Sequence, residues 1–263
     1  SRGLGDVYKR QPYTDKQLSL VEQIQRGIQQ GQKQGVNIFM AYFQAYTNTY
    51  GSVEKLSKTY EVIRQFPQIK ALAIGTRPDC IDQKKLELIN TYTQDYEVWL
   101  EYGLQSSHDL TLKRINRGHT WTDFLQAITL TRQFPEIKIC VHVILGLPGE
   151  DQGMELKTAQ ELARLKVEGI KFHPLHVVRD TPLAKEYEEK RLVLLRQEEY
   201  VDRIVRFLEQ LPPQTVIQRL TADCPSQWLI APIWILNKTQ VLQNIEKRLT
   251  ELDTWQGKLY QVK

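Results

Sequence analysis

The chain has 263 residues, 41% hydrophobic and 25% charged, with 14 Gly and 11 Pro, a balance that supports a sizeable core and excludes disordered, collagenous and low-complexity classes. Its formal charge of +4 is a mild basic excess that a scatter of Lys and Arg accounts for, so charge alone does not name a nucleic-acid partner. Cys80, Cys140 and Cys224 form no C-x-x-C, no apolar run approaches the roughly 18 residues of a membrane span, and no signal-peptide pattern opens the chain, so a cytoplasmic protein without disulfides or a membrane partner is expected.

Residues 1–11, "SRGLGDVYKRQ", show no period and stop at Pro12, where regular patterning begins. They resemble a translated adaptor leader, so they are expected to be foreign and the native amino terminus to be missing. Thr14 and Gln17 then make a capping box, and Leu18, Val21, Ile24 and Ile28 recur at helical spacing to about Gln34. "VNIFMAYF" (36–43) is a continuous apolar run, the mark of a strand covered on both faces.

A second helix is expected over 52–65, then the strand "IKALAIG" (69–75), a helix capped by Asp82 and reaching about Gln94, and the strand "EVWLEYG" (97–103). Helical patterns resume near Asp109 and over 122–134, followed by the strand "IKICVHVILG" (137–146), a helix over 152–168 and the strand "GIKFHPLH" (169–176). Strands alternating with helices predict a parallel β/α architecture. Every strand is followed by a polar or glycine-rich tail, and ligand groups at every carboxyl end favour a whole or partial barrel over an open sheet with one switch point. Beyond Pro212 and Pro213 come the short strand "TVIQRL" (215–220) and an amphipathic helix carrying Val241, Ile245, Leu249 and Leu252. The expected division is a barrel over 12–211 and a small extension over 212–263 packed on it.

The densest polar stretch is "YGLQSSHDLTLKRINRGHT" (102–120), just past a strand. Gln105 and Arg117 either converge on a ligand carrying hydroxyls and a carboxylate, or cap a helix and sit in solvent. In "VILGLPGE" (143–150), Gly146 and Gly149 permit a sharp turn and close approach to a flat ligand, and Pro148 stiffens it; a plain connector reads the same way. Arg77 precedes Pro78 and is held extended, aimed either at a ligand or at Asp79 or Glu101. His142, His173 and His176 raise a metal-hydrolase alternative, weakened because His173 and His176, three apart in an extended chain, point to opposite faces and no carboxylate stands beside them in the two strands.

"GTRPDC", "EYGLQSSHDLTLKRINRGHT" and "KICVHVILGLPGE", in that order, resemble the radical S-adenosylmethionine (SAM) superfamily, and its Elongator catalytic-subunit branch in particular. "AYFQAYTNTY", "KFHPLHVVRDTPLA" and "TWQGKLY" are similar to a group of poorly characterised bacterial members. The resemblance runs from Pro12 to the end and implies a partial (β/α)6 TIM-like barrel lacking its first strand. It implies SAM at the rim against a [4Fe-4S] cluster, reductive cleavage to a deoxyadenosyl radical, and an electron donor such as flavodoxin or ferredoxin. By position, Gln44, Ala45, Tyr46 and Thr47 would hold the methionine moiety, and Thr76 and Arg77 the ribose or substrate. Gln105, Ser106 and Arg117 would take the ribose and carboxylate, His142, Gly146 and Pro148 the adenine side, and Glu101, His173 and His176 the substrate side. The family's cluster cysteines, ending in C-x-x-C, have no counterpart here, so the fragment is expected to be inactive. The Elongator likeness implies transfer RNA, a wobble uridine in particular, as substrate; a non-catalytic binding or scaffold protein is the alternative.

Overall fold

A computed structural model describes residues 18–44 and 46–261. Helix α1 (Leu20–Gln32) opens on Ser19, whose hydroxyl accepts the Glu22 N–H while the Glu22 carboxylate accepts the Ser19 N–H at 2.7 Å. The box anticipated at Thr14 and Gln17 lies outside the described residues. There follow β1 (Phe39–Phe43), α2 (Val53–Glu61), β2 (Ile69–Thr76), α3 (Gln83–Asn90), β3 (Glu97–Gln105), α4 (Asp109–Arg114) and α5 (Trp121–Thr131). After β4 (Ile137–Leu145) come α6 (Gln152–Arg164), β5 (Gly169–Pro174), β6 (Val177–Val178), α7 (Pro182–Glu188) and α8 (Gln197–Gln210). The chain closes with β7 (Val216–Arg219), β8 (Leu229–Ala231) and α9 (Lys238–Glu251).

Six strands form one sheet in the order β1-β2-β3-β4-β5-β7, and β1 with β2, β2 with β3, β4 with β5 and β5 with β7 pair in parallel. The order follows the chain without reversal, as in the wall of a (β/α) barrel and unlike a doubly wound sheet. Strand β7, read from the sequence as part of the tail, pairs with β5 through Gly169↔Val216 and Ile170↔Ile217. Sequence reading also missed α7, although its signal was present: the Thr181 hydroxyl accepts the Ala184 N–H, and Pro182 fills the first turn, where no N–H is needed.

The chain divides into two compact units. One contains the described chain up to Gly103 together with Thr122–Ile139. Its core has Tyr102 set edge-on to Phe124 of α5, with ring centroids 6.1 Å apart, so alternate β3 residues face the helices. The other contains Leu104–Trp121 and the chain from Cys140 onward. There Phe172 of β5 meets Phe207 of α8 edge-on at 4.9 Å, and both are fully buried. A smaller apolar cluster of Ile115, Leu147, Leu175, Val177, Ala184 and Leu192 packs around the turn that follows β4.

Among the described residues β1 is a sheet edge, and Ile38 and Met40 are exposed there at 69% and 46%. An apolar edge with unpaired backbone groups is a template for association. Met40→Lys is therefore expected to reduce self-association in light scattering while changing unfolding stability by no more than about 0.5 kcal/mol. Unchanged association would show that this edge is not the adhesive surface.

Candidate functional site at the strand ends

In the first unit the loop after β1 is pinned by its own side chains. Asn48 Nδ2 donates to the Phe43 and Gly75 carbonyls at 2.8 and 3.0 Å, and the Asn48 backbone N–H also donates to Gly75. Thr49, fully buried, shares a hydrogen bond with the Thr76 hydroxyl and donates to the Cys80 carbonyl at 2.8 Å. Gln44 and Thr47 are half-buried in this loop, Tyr46 is exposed with φ of +65°, and Ala45 lies outside the described residues. Neither Asn48 nor Thr49 was singled out from the sequence, because a short polar loop reads the same whether its amides bond water or two strand ends.

The unit's inner polar pair is Tyr42 and Glu101. The Tyr42 hydroxyl donates to the Glu101 carboxylate at 2.6 Å, and Glu101 is 1% exposed. Tyr42 is opposite Ala73 and Glu101 opposite Gly75, so the contact crosses β2 where its side chains are smallest. Arg77 forks Asp79, with Nε 2.8 Å from Oδ1, which is the structural partner that the sequence left as one option.

The second unit carries the rest. Gln105 ends β3 in the left-handed region, φ +76°, and is buried. Ser106 Oγ donates to Glu150 and accepts the His108 N–H at 3.0 Å. Ser106, not Gln105, thus caps the turn into α4, and His108 Nε2 donates to the Met154 carbonyl at 2.9 Å. Arg114 turns outward to Glu186, whereas His119 is buried with Nε2 donating to the Leu104 carbonyl. Arg117 is half-buried between Asn116 and Gly118, both at positive φ. The dense polarity of 102–120 thus goes into fastening the strand end through Ser106, His108 and His119 and into the outward pair of Arg114 with Glu186.

Gly146 takes φ of +84°, and a Cβ there would come within 2.9 Å of Leu195. Its N–H donates to Glu155 Oε1 at 2.8 Å, and Arg203 Nη1 reaches the same oxygen at 2.8 Å. Burial pushes the Glu155 carboxyl above its usual range, against the opposing pull of the Gly146 N–H and Arg203. Glu155 and Arg203 therefore brace the turn that holds Pro148, a role that helical spacing in α6 did not disclose.

His142 and His173 stack, with ring centroids 5.5 Å apart and planes at 29°. Since Phe172 faces α8, its neighbours Lys171 and His173 lie on the opposite face of β5, with His142 beside them. His173 is 8% exposed and its Nε2 has no hydrogen-bond partner among the described residues. Burial lowers its pKa well below 6.5, reinforced by His142 and then Arg219. His176, past the strand end, donates from Nδ1 to the Pro174 carbonyl at 3.1 Å, and burial lowers its pKa too. The three imidazoles thus divide into a stacked pair and a capped third.

A [4Fe-4S] cluster needs thiolates converging on it. Cys80 follows β2, Cys140 lies inside β4 and Cys224 follows β7, all as free thiols and none in a C-x-x-C, so the chain's cysteines do not fit the cluster. SAM is different: its hydroxyls, amino and carboxylate groups suit the buried amide of Gln105 and the polar strand ends.

Comparison with known proteins agrees with this layout. The Radical SAM superfamily profile matches residues 6–163, and the Radical_SAM C-terminal domain profile matches 167–251. The uncharacterized protein YtqA of Bacillus subtilis is 36% identical over 82% of this chain and 66% of its own length. A tRNA uridine(34) acetyltransferase of Methanocaldococcus jannaschii is 27% identical over 68% of the chain and 32% of that protein. The solved structure of Methanocaldococcus infernus Elp3 superposes with a TM-score of 0.75 at 20% identity, covering 90% of this chain and 60% of that one, which shows the partial-barrel fold.

A histidine buried neutral binds fewer protons folded than unfolded, so its contribution is intact above pH 6.5 and is lost as pH falls below it. Urea unfolding of the wild type is expected to lose up to about 1.4 kcal/mol per pH unit from His173 in that range, and His173→Gln to remove that slope. Equal slopes in the two proteins would mean that His173 charges freely in the folded state.

Proposed function

The chain belongs to the radical SAM superfamily, and from that premise we propose that it is the SAM-binding barrel of an enzyme that modifies transfer RNA, with a wobble uridine as the target base. The observation that carries the reading is made in the second unit, where Gln105, His142 and His173 stand on β3, β4 and β5 next to buried apolar residues of the same strands. When bound beside a reduced cluster, SAM supplies a deoxyadenosyl radical able to abstract hydrogen.

The chain's own residues bind and orient. Gln44–Thr47 receive the methionine moiety on a loop that Asn48 and Thr49 keep fixed. Thr76 and Arg77 border the ribose or substrate, and Gln105, Ser106 and Arg117 serve the ribose and carboxylate. The Gly146–Pro148 turn, braced by Glu155, lies along the adenine with His142. Glu101, His173 and His176 face the substrate. A tRNA uridine acetyltransferase among the relatives, together with the basic "LKRINRG" and "EKRL" stretches, supports RNA over a small metabolite. Flavodoxin or ferredoxin is the class of donor such chemistry requires. The chain spans 66% of YtqA, so these roles concern the portion present.

A second reading, a barrel that binds without turning substrate over, is favoured for this chain by the scattered cysteines. Anaerobic reconstitution with iron and sulfide is expected to leave it without the absorbance of a four-iron cluster; a stoichiometric cluster would overturn that. SAM binding is read separately by equilibrium dialysis. Gln105→Ala is expected to weaken it about tenfold, as for one buried hydrogen bond left unmade, while Lys157→Ala on the exposed side of α6 leaves it unchanged. Transfer RNA is expected to bind with an affinity that falls steadily as salt rises. Absence of saturable binding at low salt would remove the RNA assignment.

A further inference from the structure

The turn after β4 is held from a later part of the second unit. Glu155 of α6 is 3% exposed, and its Oε1 accepts both the Gly146 N–H and Nη1 of Arg203 on α8, each at 2.8 Å. On its other side Gly146, at φ of +84°, lies against Leu195, just ahead of α8, where a Cβ would come within 2.9 Å. The Leu195 carbonyl is itself fixed by Trp234 Nε1 at 3.1 Å. Two points of one segment therefore set the turn: Leu195 packs against it, and Arg203 carries the charge opposite the carboxylate that anchors it.

That charge is what the anchor needs. A buried carboxylate stays ionised only where a cation or several donors replace its lost water. Tyr200 and Arg203 of α8 and Glu150 of the turn face Glu155; Glu150 opposes its ionisation and Arg203 favours it. Arg203 also feels Glu199, one turn back along α8, but Glu199 is held by Arg196. A neutral Glu155 would hold the Gly146 N–H by an ordinary bond in place of a charge-assisted one, about half as strong.

We infer that Arg203 is a positioning residue for SAM, acting through Glu155 on the Gly146–Pro148 turn. The turn lies within the Radical SAM superfamily match and α8 within the C-terminal domain match, so a helix of the C-terminal domain governs SAM affinity without touching SAM. The inference rests on the reading of this turn as the adenine side.

SAM affinity is measured by equilibrium dialysis from about pH 8 to about pH 6, each variant as a ratio to the wild type so that the titration of SAM itself cancels. Without the Arg203 charge the Glu155 carboxyl takes up its proton at a higher pH. Folded Arg203→Met is therefore expected to bind progressively more weakly than the wild type as pH falls, by about tenfold at the acid end. Arg203→Lys keeps the charge and is expected to stay within about threefold of the wild type throughout. The double variant of Glu155→Gln with Arg203→Met has no carboxyl there to titrate, and its ratio is expected not to change with pH. Arg203→Gln, which can still donate to Glu155 but carries no charge, takes the place of Arg203→Met where circular dichroism shows the latter unfolded. A ratio near one in the folded single variant overturns the inference, and so does a loss equal at every pH, which would mark Arg203 as packing alone. A wild type that binds no SAM overturns the SAM reading and the inference with it, whereas equal binding by wild type and variant removes only the role of Arg203.

Discussion

The alternation of a strand's two faces is the constraint on which this molecule depends. A parallel strand sends successive side chains to opposite sides, and covering one side with helices requires that side to be apolar at every second residue. Tyr102 against Phe124 and Phe172 against Phe207 fix which side that is in each unit. The residues between them are then free to be polar, and they are: Glu101 in β3, and Lys171 and His173 in β5. The same alternation that builds the core therefore builds the polar face. A one-residue slip in register would exchange the two and destroy both.

The strand ends require a second device, because the chain must turn there without losing the alignment of its last residues. Side chains from neighbouring segments do this. Asn48 ties the first loop to β1 and β2, Ser106 ties the turn after β3 to Glu150, and Glu155 with Arg203 holds the N–H of Gly146. The Asn48 and Glu155 braces replace water at backbone groups that would otherwise be buried unsatisfied, so they both stabilise the turns and limit their movement. Gly146 in addition has no room for a side chain on the Leu195 side. Rigid ends of this kind suit a site in which a cofactor and a substrate must be held in a fixed relation.

In the first unit the buried carboxylate of Glu101 takes a hydrogen bond from Tyr42, and in the second unit the buried groups on β5 are basic. The three cysteines stand on separate elements and so are not placed for joint coordination of iron.

Local patterning was sufficient to reveal the succession of strands and helices and the polar tails, since periods of 2 and 3.6 and glycine-rich turns are written in neighbouring residues, while the family likeness came from motifs recurring in order. Asp82 as a helix cap and the choice of a barrel over a reversed sheet are legible for that reason. The partners were not. That Arg77 would fork Asp79, that Arg114 would leave for Glu186, that His142 would stack on His173 and that β7 would join the sheet beside β5 depend on the register between strands and on which loop meets which. The sequence by itself determined which residues are polar at which strand end; only the tertiary structure decided which of them are fastened to one another and which face inward, because pairing across tens of residues leaves no trace in local periodicity.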